Sequence, residues 1–344
     1  MDHKVLVPIA KVAMRASQIR LFMTRLLSPS VAALCLIVAL TGCGGFKSAQ
    51  YPDVVIADAH TGGSVVAFDA GSTRLASGGW DGAIAVWRLP QGQRLQQWRA
   101  HAGTVNGIVF LQGDRRLLSG GYDGDLAEWD AQGRLLRRVA AGSPITAMTA
   151  VEADDVLVTG HADGVVRVWA LDDLEKRREH AVHRGAVRAV AYQAGERRMA
   201  SSGTDTRVFL WSALDARPQA LPGPPTDSRA LHFSPDGEWL VGSGWFRLFR
   251  WNLRTTALIT VPTEHRGIVT SLQYSPDGRY LASISRKTDS SVYFLDPMDG
   301  QVLRRFHRHD LCGGWIALSP DHKYLATTSD DASVRIWWLD KSPQ

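Results

Sequence analysis

Cysteine is scarce in this chain, with three in 344 residues. Cys35 and Cys43 fall near the N-terminus, so Cys312 stands alone in the body, and one cysteine closes no internal disulfide. Export is neither argued nor opposed by that count. Charge is modest as well: 21% charged against 45% hydrophobic residues are globular values, which exclude a disordered or coiled-coil chain. Four of the five net positive charges belong to the first 42 residues, where Lys4, Lys11, Arg15, Arg20 and Arg25 face Asp2 alone. The remainder holds 34 basic and 33 acidic residues, so no nucleic-acid footprint is left in the body. The uncharged apolar run VAALCLIVAL at 31–40 is too short to span a bilayer. No GxSxG, HExxH or phosphate-loop motif occurs, and His307 and His309 flank Arg308 without further ligand spacing. No metal, cofactor or catalytic residue is expected.

What the chain does have is a repeat. SGGWDGAIAVW ends at Trp87 and returns as SGGYDGDLAEW at Trp129, TGHADGVVRVW at Trp169, SSGTDTRVFLW at Trp211 and TTSDDASVRIW at Trp337. Each copy sets a small hydroxyl residue four positions before an Asp and ten before the Trp. Two degenerate copies end at Trp251 and Phe294, and the steps between successive ends are 42, 40, 42, 40, 43 and 43 residues. Alternating β-branched runs broken by Asp-Gly turns read as strands, and a period near 42 residues reads as a propeller of four-stranded blades. Seven units fit, giving an all-β, single seven-bladed propeller. The chain ends one strand short of a seventh blade, and Tyr51–Ile56 is the spare strand expected to close the ring from the N-terminal side. SPDG at 234–237 and 275–278 and SPDH at 319–322 suit tight turns.

Residues 31–40 with Arg20 and Arg25 before them fit a secretory signal, and LTGC at 40–43 resembles the lipobox of bacterial lipoproteins. The resemblance implies cleavage before Cys43 and its lipidation, with several acyl chains anchoring the chain to a membrane. The domains are then a signal peptide over 1–42, with Met23 a possible true start, a lipidated tether over 43–50, and the propeller over 51–344. Gly44 after the cysteine, rather than Asp, implies the outer membrane of the bacterial envelope.

The repeats themselves resemble the WD40 family, in which a histidine opening each blade joins the hydroxyl, Asp and Trp in one hydrogen-bonded chain. Four sets match: His60, Ser77, Asp81 and Trp87; His101, Ser119, Asp123 and Trp129; His183, Ser201, Asp205 and Trp211; and His309, Thr327, Asp331 and Trp337. These contain the ingredients of a nucleophilic triad, but a protein needs one such site, not four, and a repeated buried network is expected to fix strand register. Blade three has Ala141 where the histidine belongs, and blade five has no turn Asp.

By the same resemblance, partners dock on one narrow face. It is fed by the residue before each turn Asp and by the residue three after each blade histidine. Trp80, Tyr122, Thr104, Thr204, Ile268, Asp330 and Trp245 are the candidates. Trp80 and Tyr122 lead them, being large aromatics at turn tips without an evident fold role. The reading is a non-catalytic, monomeric protein-interaction scaffold at the envelope. Its rivals are an assembly factor for outer-membrane proteins and an enzyme or small-molecule sensor built in the central channel.

Overall fold

A computed structural model describes residues 48–340 apart from Asp215. The signal peptide, Met23 and Cys43 lie outside these residues. Among the described residues no helix is long and apolar enough to cross a membrane.

The chain forms seven four-stranded antiparallel sheets. In blade one the strands are Gly63–Phe68, Arg74–Gly79, Ala83–Arg88 and Gln93–Arg99, laid side by side in chain order. Tight turns join them, and the Asp-Gly turn shows why glycine recurs there. Gly82 has φ +76°, and a Cβ on it would lie 2.1 Å from the His101 carbonyl oxygen, so backbone of the next blade already fills that space. The Gly82 carbonyl in turn accepts from the Ala100 and His101 amides at 2.8 and 3.0 Å.

The first strand of every sheet faces the axis. These are Gly63–Phe68, Val105–Leu111, Ile145–Val151, Val187–Gln193, Leu231–Phe233, Ile268–Tyr274 and Gly313–Leu318. Each packs against the next, and the last packs against the first. The seventh sheet contains Gly313–Leu318, Tyr324–Ser329 and Val334–Trp338, and its outermost strand is Val54–Ile56, paired antiparallel with Val334–Ile336. Gln50, assigned to the tether by sequence, is tied to blade six instead. Its amide donates to the Arg305 carbonyl at 2.9 Å and its carbonyl accepts from the His307 amide at 2.7 Å.

Hydrophobic clusters lie between blades as well as within them, so the core is a ring of inter-blade layers. One such cluster joins Val66, Leu75 and Trp87 of blade one to Ala326, Val334 and Ile336 of blade seven. The six strand tryptophans Trp87, Trp129, Trp169, Trp211, Trp251 and Trp337 are all buried. Each contributes a large apolar area to these layers.

Candidate partner-docking face

Blade two shows the repeated polar residues at full strength. The Trp129 indole N–H donates to Ser119 Oγ at 2.9 Å, Ser119 meets His101 Nε2 at 2.8 Å, and His101 Nδ1 meets Asp123 Oδ1 at 2.9 Å. Asp123 also accepts from the Ala102 amide at 2.8 Å. A carboxylate at Nδ1 fixes the proton there, so Nε2 accepts from the serine hydroxyl and every polar atom of the chain is used. Burial pushes the His101 pKa down against the pull of Asp123, keeping the ring neutral. The hydroxyls of Ser77, Ser119, Ser201 and Thr327 are fully buried, so none can reach a substrate as a nucleophile.

The other sets vary this pattern. His60, His183 and His309 each meet their hydroxyl partner at 2.7–2.8 Å, and His183 and His309 reach Asp205 and Asp331 at 2.9 and 3.0 Å. His60 stands 3.8 Å from Asp81, too far for a hydrogen bond, and its Nδ1 has no partner. The Trp leg is the least regular. Trp87 reaches Ser77 at 2.8 Å, but the Trp211 indole N–H finds no acceptor, and that of Trp337 donates to the Gln50 carbonyl at 3.1 Å instead of Thr327. Two of the four expected chains therefore end at the histidine–hydroxyl bond. In blade five Trp251 donates to the Pro222 carbonyl at 2.9 Å. Blade six assembles a set not expected in full: His265 meets Ser283 at 2.9 Å, with Asp289 3.7 Å away.

Blade three solves its missing histidine in another way. His161, inside the strand Val156–His161, turns back so that Nε2 meets Thr159 Oγ1 at 2.7 Å, while Nδ1 donates to the Ser143 carbonyl at 2.9 Å. Trp169 completes the chain to Thr159 at 2.8 Å. The signal was present in TGHADG, where a histidine occupies the place that glycine holds in SGGYDG.

The two kinds of position proposed for the docking face come together as backbone pairs. The Tyr122 amide donates to the Thr104 carbonyl at 2.8 Å, Thr204 to Ala186 at 2.9 Å and Asp330 to Cys312 at 2.9 Å. Trp80 and Tyr122 are 45% and 52% exposed, and Thr204 is exposed too. Ile268 departs from expectation. It is buried, because the blade-five turn leans across and Trp245 bridges to it. Asp330 remains at the face but is engaged by Arg286 Nη2 at 2.5 Å.

A further ring surrounds the channel at this end. The inner strands bulge at Ser64, Asn106, Thr146, Arg188 and Thr270, turning each side chain toward the next blade. Asn106 donates to the Ile145 carbonyl at 2.8 Å, Thr146 to the Val187 carbonyl at 2.8 Å, and Arg188 to Asp227 at 3.2 Å. The clue in the sequence was a polar residue interrupting an apolar run, as in TVNGI, PITAM and AVRAV. Behind the ring lies a cavity of about 450 Å³ lined by Met148, Arg188, Tyr192, Arg229, His232 and Trp315, among others, with no carboxylate in its wall. No group of three or more potential metal ligands occurs among the described residues.

The family model for the WD domain, G-beta repeat, matches residues 54–88, 92–130, 175–212, 256–296 and 300–337, more than half the chain. The chain belongs to the WD-repeat family. The two stretches that the WD-repeat model passes over contain blade three, with its relocated histidine, and blade five, with no turn Asp. WD-repeat relatives include the DDB1- and CUL4-associated factor 13 of Xenopus laevis, 22% identical over 78% of this chain and 62% of its own length. The Protein LST8 homolog of Drosophila melanogaster is 26% identical over 45% of this chain and 52% of its own. The Chromatin assembly factor 1 subunit FAS2 homolog of Oryza sativa is 25% identical over 53% and 30%. The chain thus spans between 30% and 62% of these relatives' lengths. A WD-repeat propeller is typically a non-catalytic protein-interaction scaffold.

Proposed function

We propose that this WD-repeat protein is a non-catalytic scaffold, lipid-anchored through Cys43 at the bacterial envelope, most simply in the outer membrane. It binds a protein partner through the face carrying Trp80 and Tyr122. The observation that carries the docking role is the exposure of these two rings on neighbouring blades. Both sit at turn tips whose backbone hydrogen bonds are already made, so the fold needs neither ring in the open. The LTGC sequence behind a short apolar run and two arginines carries the anchor.

Affinity purification from crosslinked envelope fractions tests the docking role. A Trp80→Ala, Tyr122→Ala double variant should keep the wild-type melting temperature and lose captured partners. Retention of every partner by a folded double variant would refute the face. Labelling with a radioactive fatty acid should mark the wild type and not Cys43→Ala.

A further inference from the structure

The ring around the channel mouth is small and neutral on four blades, where Ser64, Asn106, Thr146 and Thr270 occupy the bulges. On blades four and five it changes character, and blade six adds a charge beside its neutral Thr270. Arg188 leaves its bulge toward Asp227 at 3.2 Å, and Arg229 stands 3.7 Å from the same carboxylate. Arg286, closing the strand Leu281–Arg286, adds a third guanidinium, held by Asp330 at 2.5 Å. Lys287 follows it. Two carboxylates thus face three guanidinium groups, with the Lys287 ammonium beside them over the Trp245 ring.

The shortfall is visible in the geometry. Asp227 is shared between two arginines, and Arg229 Nε is buried with no hydrogen-bond partner. Burial lowers the Arg229 pKa from its ordinary value, and the nearby Arg188 and Arg286 charges lower it further. Aromatic walls border the charged patch. The Arg286 guanidinium lies 5.8 Å from the Trp80 ring, and Lys287 Nζ lies 4.7 Å from that of Trp245. Trp245 packs on the exposed Phe246 at 5.6 Å between ring centres.

We propose that this mouth receives an acidic segment of the partner protein, with its carboxylates between Arg188, Arg229 and Arg286 and its apolar atoms against Trp80 and Trp245. The inference rests on the reading of this face as a protein-docking surface and names the chemistry of what docks. Guanidinium groups grip carboxylates in a planar, two-bonded geometry, and here they are offered by three successive blades, a spread that suits a chain. The tryptophans supply side walls that a small hydrated anion would leave unused.

Fluorescence anisotropy of a labelled ten-residue glutamate-rich peptide tests it, against the purified full chain in non-ionic detergent at low salt. Wild type should bind, and the affinity should fall as salt rises. An Arg188→Gln, Arg229→Gln double variant should weaken binding at least tenfold, while Arg134→Gln, which removes a highly exposed outer-edge charge, should leave it unchanged. Asp227→Asn deletes the shared counter-charge and should tighten binding several-fold, a gain that no loss of fold can imitate. Absence of wild-type binding, equal weakening by Arg134→Gln, or no gain from Asp227→Asn would overturn the proposal. Displacement of the peptide by sub-millimolar inorganic phosphate would overturn it too, reassigning the mouth to a free anion. Partner capture that depends on Trp80 and Tyr122 without peptide binding would sink this inference alone. Peptide binding with partner capture indifferent to those rings would instead remove the docking reading beneath it.

Discussion

His161 makes the stability of blade three depend on pH in a way that can be calculated. Burial lowers its pKa to about 4, outweighing the Ser143 carbonyl that favours the protonated ring, and Arg167 pushes in the same direction as burial. In the unfolded chain the ring returns to the ordinary value of about 6.5. The unfolded state therefore binds the extra proton between these values. The stabilisation is complete above about pH 6.5 and is lost as pH falls toward 4. Between pH 7 and pH 5 this one group should remove about 2 kcal/mol of folding free energy. Burial also lowers the pKa of His60, His101, His183 and His309, which add losses of the same sign, so the informative quantity is a difference between two proteins. His161→Gln keeps an acceptor for the Thr159 hydroxyl but does not titrate. It should cost about 1 kcal/mol at pH 7 and then lose about 2 kcal/mol less than wild type on acidification to pH 5. Urea unfolding followed by tryptophan fluorescence at both pH values measures this. Parallel losses within about 0.5 kcal/mol, a small fraction of the expected shift, would show that His161 is not the buried neutral group described.

Serine-to-alanine changes in two blades should differ although their sequences match. Ser119→Ala strands both the Trp129 indole and His101 Nε2, and should cost about 2–3 kcal/mol. Ser201→Ala strands only His183 Nε2 and should cost about 1 kcal/mol less, so the reverse order in denaturant midpoints at matched slopes would contradict the network. Trp129→Ala removes a buried ring packed 5.6 Å from Trp98 and should cost about 3–5 kcal/mol. A loss under about 1 kcal/mol in the same melts would misplace it.

The blade count, the turn positions and the histidine–hydroxyl bonds were readable in the sequence because each is a local pattern repeated in register. A hydroxyl ten residues before a tryptophan sits across a two-strand hairpin from it, and the turn Asp, which accepts from the amide two residues on, fixes that hairpin. What escaped depended on contacts between blades. Whether Trp337 bonds to Thr327 or to Gln50 is decided by a segment 287 residues away in sequence. Ile268 occupies a docking position by spacing and is covered because blade five's turn crosses to blade six. His161 escaped for a different reason: the network needs an imidazole at a point in space, and the strand end can deliver one as well as the preceding loop can.

Blade three departs from the repeat and yet every polar atom of its replacement network is bonded, so its irregularity is fully explained by the scaffold's own requirements. The arginines of blades four to six are a departure of another kind. Neutral Ser64, Asn106, Thr146 and Thr270 make the same inter-blade link without charge, so Arg188 and Arg229 are not needed to hold the ring. Their presence leaves a shared carboxylate and an unsatisfied buried N–H. A feature that costs stability where a cheaper alternative is used four times in the same molecule is one the fold does not ask for. The basic mouth and the exposed rings beside it meet that description, and the buried histidine networks do not.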